Sequence, residues 1–246
     1  SADVLVNLAG GETLLLRVYP WTHEQAATGH ITVSDVRISG YSANASAPAS
    51  LVWPLDKGKD NPASADTSSG AFAFTGHSVG NDLTIKGTNK PGGVTGKEYQ
   101  PLTNNLSAYN DNASVTFTLR PKAGITFRPT KVSFYATRNG TNGGTIEASL
   151  EVDGTRTVLG TKLEPLRNNV APGHKLFEFD VDGVVVYDNT LTLRLAIAAL
   201  GNTKTLTIHS VTIEGEVSGT EIDVPKYSIS ATPSLPEAGS VTVTPN

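Results

Sequence analysis

Apolar residues in this chain recur at every second position in short runs, and turn-forming dipeptides separate the runs. The clearest run is Leu191, Leu193, Leu195 and Ile197. Successive side chains of a strand point to opposite faces, so a period of two puts one set in a core and the other towards water. The same alternation predicts strands at 114–120 (Val115, Phe117 and Leu119 inward), 131–137 (Val132, Phe134 and Ala136 inward) and 145–152 (Ile146, Ala148, Leu150 and Val152 inward). Further strands are expected at 13–19, 30–39, 175–181, 184–187 and through Leu206, Ile208, Val211 and Ile213. Asn139-Gly140, Asn142-Gly143-Gly144, Asp153-Gly154, Asp182-Gly183 and Gly201-Asn202 lie between them as turns. No segment carries a helical period. Thr (30 of 246 residues) and Ser (20) fill outward positions, where they suit a half-solvated sheet. The pattern predicts an all-β chain folded as an antiparallel β-sandwich of jelly-roll type.

Two of these strands recur. TLLLR at 13–17 matches TLTLR at 190–194, and ITVSDVRISG at 31–40 matches LTIHSVTIEG at 206–215, at offsets of 177 and 175. Register and order agree, so residues 1–44 are read as the last strands of a preceding or integrated β-module. Residues 45–220 are then a complete sandwich of ordinary domain size. The small, polar stretch 41–50 (YSANASAPAS) reads as a linker. Residues 221–246 read as the opening of a small extra β-repeat at the C-terminus. The chain holds no Met, as expected of a piece cut from a longer protein. No basic segment followed by an apolar run opens it, so any secretion signal is expected to be gone already.

Composition and motifs exclude more chemistry than they suggest. Zero Cys removes disulfide scaffolds, zinc-thiolate sites and cysteine nucleophiles. No nucleophile elbow, HExxH, phosphate loop or dinucleotide fingerprint occurs. Glu147 and Glu151 point outward on one strand and read as a solvated face rather than a glycosidase pair. No catalytic residue is therefore assigned. Asp180 and Asp182 beside one turn, and Asp56 and Asp60 in another loop, are the weak calcium candidates, since calcium takes oxygen ligands from such loops. Turn capping, in which Asp and Asn hydrogen-bond their own backbone, is the ordinary reading of such residues. Calcium is the one cofactor the loops could hold. A net charge of -4 argues against nucleic acid, and no apolar run is long enough for a membrane helix.

One local charge feature departs from that acidic balance. Residues 112–146 contain no Asp or Glu, yet they include Arg120, Lys122, Arg128, Lys131 and Arg138, a formal +5. Lys131 and Tyr135 point outward together on one strand. Arg138, Asn139 and Asn142 continue from its end. Such a surface suits a polyanionic sugar, with uronate carboxylates on the cations and a pyranose on the tyrosine. Tyr99 and Tyr109 lie in a polar stretch at 96–112 and are further stacking candidates. Trp53, flanked by apolar residues, reads as a core plug.

The central region resembles a β-sandwich module that accompanies pectate lyases in secreted bacterial polysaccharide-degrading enzymes. The residues behind the resemblance are VWPLDKG (52–58), GNDLTIKGT (80–88), ITFRPTKVSFYATRNGTNGGTIEASLEVDGT (125–155), LRNN (166–169) and LTLRLAIAALGNTKTLTIHSVTIEG (191–215). The tail YSISATP…GSVTVTP is similar to small β-repeats of bacterial surface proteins. The resemblance implies a non-catalytic carbohydrate-binding module, secreted or on the bacterial cell surface, with neighbouring modules of the same parent chain as partners. It implies plant cell-wall polysaccharide as ligand, with acidic pectin (polygalacturonate) favoured. It identifies no binding residues. The alternatives are a structural spacer or adhesin module and a fragment of a polysaccharide lyase.

Overall fold

A computed structural model describes residues 46–57, 65–102, 106, 108–140 and 144–222. The chain divides into two compact units, Ser1–Gly40 and Tyr41–Asn246, and every described residue belongs to the second. The expected strands at 13–19 and 30–39, the first copy of the repeat and most of the C-terminal repeat lie outside the described residues, as do Asp60 and Asn142.

Fourteen strands follow in chain order among the described residues: β1 (Ala47–Trp53), β2 (Asp66–Thr67), β3 (Phe72–Val79), β4 (Leu83–Asn89), β5 (Gly96–Pro101), β6 (Ser114–Pro121), β7 (Ile125–Asn139), β8 (Thr145–Val152), β9 (Thr155–Leu163), β10 (Leu166–Arg167), β11 (Lys175–Asp180), β12 (Val186–Tyr187), β13 (Leu191–Ala198) and β14 (Thr205–Gly219). A five-stranded sheet has the order β3-β6-β13-β8-β9. A nine-stranded sheet is organised around β7 and β14, with β1, β2, β4, β5, β10, β11 and β12 completing it. All pairs are antiparallel except β10 with β7. The described residues therefore form an antiparallel β-sandwich, as the period of two leads one to expect. Among the described residues no helix is long and apolar enough to cross a membrane.

The core lies between the sheets. Phe117, Leu119, Leu150, Leu193 and Leu195 meet Trp53, Phe127, Phe134, Leu206, Ile208 and Ile213 there, all at most 1% exposed. Trp53 contacts Phe117 edge-on, with ring centroids 5.5 Å apart. A buried aromatic of this kind contributes about 3–5 kcal/mol on the scale of truncation to Ala.

Two readings of the sequence are corrected. The linker assigned to 41–50 is strand from Ala47 onward, because Ala49, Leu51 and Trp53 alternate inward and β1 pairs with β14 from Ala47↔Val217 to Trp53↔Val211. The polar stretch at 96–112 begins with β5, which pairs with both β4 and β14.

Candidate functional site

Alternation along the five-stranded sheet gives its outer face two continuous rows. One runs Gly76, Thr118, Thr192, Glu151, Arg156, and the next runs Ser78, Thr116, Arg194, Ser149, Val158. Each row crosses five strands, about 19 Å at an inter-strand spacing of about 4.8 Å. Ser78 and Thr116 hydrogen-bond through their hydroxyls. The middle of the face carries a charge lattice. Asp111 Oδ1 accepts from Arg156 at 2.9 Å and lies 3.3 Å from Arg194, while Glu151 Oε2 lies 3.3 Å and 3.6 Å from the same two guanidinium groups. Arg194 also donates to Ser114 Oγ at 3.1 Å. Two cations and two carboxylates cancel there. Next to Glu151 and Thr192 is a shallow depression of about 260 Å³, lined also by Asp153, Gly154, Asn189 and Thr190.

Phe74 stands at the β3 edge of this face. A local irregularity between Phe72 and Phe74 puts Phe74 opposite Arg120, on the solvent side. Its side chain is 55% exposed. Gly76 makes room for it: a Cβ at residue 76 would sit 2.7 Å from Phe74 Cζ and 2.8 Å from Thr118 Oγ1. The ring thus lies over the first row of the sheet, with one side against glycine backbone. Gly76 is absent from the positive-φ residues, so close approach, not backbone conformation, requires glycine here. Period-two reading passes over Phe74, because the irregularity breaks the alternation and its neighbours Ala71 and Ala73 give no strand signal.

The residues expected to form a basic sugar site are dispersed. Arg120 lies on the five-stranded sheet and pairs with Asp188 at 3.0 Å. Lys122 pairs with Glu221 at 2.9 Å. Lys131, on the nine-stranded sheet, pairs with Glu178 at 2.9 Å, a hydrogen bond that raises its ammonium above the ordinary lysine range. Three of the five cations are therefore answered by carboxylates from distant parts of the chain. Arg138 falls opposite Leu206, on the other side of β7 from Tyr135. Asn139 is used inside the fold: its Nδ2 reaches Glu98, Thr205 and Thr207 at 2.7–3.0 Å, and its Oδ1 accepts from Asn89 at 3.1 Å. Tyr99 is corrected from loop platform to core residue. It is buried on β5 opposite Leu206, where its hydroxyl meets His77 Nε2 at 3.0 Å and burial pushes its ionisation up. Tyr109 is half-buried. It donates to Thr145 Oγ1 at 2.9 Å and accepts from the Lys162 amide at 3.1 Å, at one end of the five-stranded face.

Asp180 faces Lys131 across β11 and β7, Asp182 sits in a turn, and Asp56 acts on Lys97 through charge. Among the described residues no three His, Cys, Asp or Glu side chains converge as a metal-binding group.

On the outer face of the nine-stranded sheet, Tyr135 stacks on His209 with centroids 4.9 Å apart and rings 3° from parallel. His174 tilts against both rings at 4.7 and 5.0 Å. Its Nδ1 lies 3.1 Å from His209 Nε2. His209 is buried, and desolvation, with His174 adding to it, lowers its pKa to about 4. Tyr135 is thus packed into an aromatic trio and half-buried. His77 is also lowered to about 4, by burial first and then by Lys97.

No family model matches the sequence, and no curated protein matches it. Solved structures of similar shape exist. One is the CBM22-1 xylan-binding domain of Xyn10C from Paenibacillus barcinonensis, with a TM-score of 0.38 and 8% identity, covering 75% of this chain and 100% of that one. Another is TmCBM61 in complex with β-1,4-galactotriose, with a TM-score of 0.33 and 13% identity, covering 59% and 90%. A third is the C-terminal CBM6 of the laminarinase LamC from Zobellia galactanivorans, with a TM-score of 0.32 and 13% identity, covering 69% and 98%. Likeness at this level carries no functional information for this chain.

Proposed function

We propose that this protein is a non-catalytic carbohydrate-binding module and that a polysaccharide lies across the outer face of its five-stranded sheet. The observation that carries the reading is Phe74, an exposed aromatic ring seated on glycine beside rows of hydroxyl groups. A sugar ring offers an apolar face of C–H groups and a rim of hydroxyls. The phenyl ring takes the apolar face, and Thr118, Thr192 and the Arg194–Glu151 lattice supply donors and acceptors for the rim. The face is long and shallow, which suits a chain better than a monosaccharide.

A neutral glycan fits this face better than pectin. Arg120, Arg156 and Arg194 are each held by a carboxylate, so a uronate would have to displace Asp188, Asp111 or Glu151. In this reading the chain works outside the cell, holding attached domains near their substrate.

Affinity electrophoresis and calorimetry of the chain and of Phe74→Ala test the proposal. The probes are xylan, named for one structure of similar shape, and β-1,4-galactan, the polymer of the galactotriose bound in another, with polygalacturonate as the acidic comparison. The expected result is binding to a neutral polymer, weakened at least about tenfold in Phe74→Ala, since ring stacking contributes on the order of 1.4 kcal/mol or more. Binding that ignores Phe74 would overturn the site. Failure to bind any of the three polymers would favour the spacer reading.

A further inference from the structure

We propose that His174 and His209 form a two-imidazole site for a borderline divalent transition-metal ion, zinc(II) or copper(II), on the outer face of the nine-stranded sheet. This site is independent of Phe74 and lies on the other sheet. His209 comes from β14, and His174 from the segment just before β11. The fold brings their facing nitrogens, His174 Nδ1 and His209 Nε2, to 3.1 Å. Two imidazole nitrogens bound tetrahedrally to one zinc ion at about 2.0–2.1 Å stand about 3.3 Å apart. The pair is therefore already near chelating separation. Small ring rotations turn both lone pairs towards one ion in place of the shared proton.

The surroundings position both rings. His209 Nδ1 lies 3.1 Å from Ser210 Oγ. With Nδ1–H donating to that hydroxyl, Nε2 carries the lone pair that a metal needs, and the outer hydrogen bond fixes the tautomer. His174 is held against Tyr135 on one side and Gly92 on another, where a Cβ would come within 2.8 Å of its Nδ1 and Cε1. Gly92 has φ +60, so both its conformation and this approach require glycine. No carboxylate completes a cluster with the pair among the described residues, so the two imidazoles are the protein ligands of the site. Two neutral nitrogen donors select copper, nickel or zinc over calcium or magnesium. Bound metal would tie the 172–174 segment, and the Pro91–Gly93 turn packed on it, to the central strands.

The test uses the full chain without a metal-affinity tag, titrated with zinc chloride and copper(II) chloride by calorimetry and followed by thermal unfolding. The expected result is one saturable binding event that is missing in His174→Ala, whatever the remaining histidines bind. At a hundredfold excess over Kd the metal should raise Tm by about 5–10 °C in the native chain, and this shift should vanish in the variant. His174 is half-buried at a strand end, and His174→Gln, which keeps a hydrogen-bond partner for His209, serves as a second variant that must also lose the event. With copper(II), the native chain should show two-nitrogen coordination in its electron paramagnetic resonance spectrum. Metal binding unchanged in both variants overturns the proposal, as does an absence of saturable binding up to about 1 mM free metal.

Discussion

At the residue scale, Phe74 and Gly76 act as a pair. Phe74 is exposed, so Phe74→Ala should leave folding stability within about 0.5 kcal/mol while removing most glycan affinity. Gly76→Ala is the more searching change. It introduces a methyl group 2.7 Å from Phe74 Cζ and 2.8 Å from Thr118 Oγ1, on a strand whose backbone accepts alanine. The ring must lift off the sheet. Calorimetry should show weaker glycan binding than in the native chain, with urea unfolding shifted by no more than about 1 kcal/mol. Equal affinity would mean that the ring's position against the sheet does not matter. Neither residue was legible in the sequence, because nothing there marks where β3 breaks step. Lys131 and Tyr135 were legible as neighbours on one strand, and Asn139 as part of the turn that follows it. Their partners Glu178, His209 and Glu98 were not, since each comes from a strand distant in sequence.

At the scale of elements, β1 shows how composition misleads. Its small residues suggest a tether, yet Leu51 is fully buried and lies between Ile213 of β14 and Thr67 of β2. Leu51→Ala should cost about 2–5 kcal/mol in urea unfolding, as for other buried leucines. A linker residue would cost almost nothing. The strands with strong alternation, β6, β8 and β13, matched their sequence reading closely because both of their neighbours are strands and one of their faces is buried. β9 and β3 are sheet edges with no fully buried residue, so hydrophobic period does not mark them. β7 and β14 ran longer than their apolar stretches, to 15 residues each, because they pair with each other along most of their length.

At the scale of the whole molecule, two predictions follow from charge and burial. Cations on the proposed binding face are already paired, so raising ionic strength from about 0.05 to 0.5 M should change neutral-glycan affinity by less than about twofold. A steep loss with salt would instead indicate an acidic ligand. The second concerns His77, whose ring packs on Phe117 and Tyr99 and feels the positive charge of Lys97. Its pKa is lowered from 6.5 to about 4, so the unfolded chain binds the proton more readily than the folded one. Stability from this group is therefore present above about pH 6.5 and is lost as pH falls towards 4, on the order of 2 kcal/mol. Urea unfolding at pH 7 and pH 4.5 should show the loss, and His77→Gln should reduce the difference between the two.

The all-β class of this protein follows from its alternation alone, because period-two burial with frequent turns must be satisfied by paired strands with one face covered, and the absence of catalytic motifs can be read without coordinates. Only the tertiary structure decided which charges are answered, which tyrosines are buried and which surfaces are open. Alternation tells a side chain which face of its own strand it occupies, but not what the neighbouring strand presents to it. Arg120, Lys122 and Lys131 were paired, Tyr99 was buried and the two histidines were brought together by pairings between residues tens of positions apart, which no local pattern encodes.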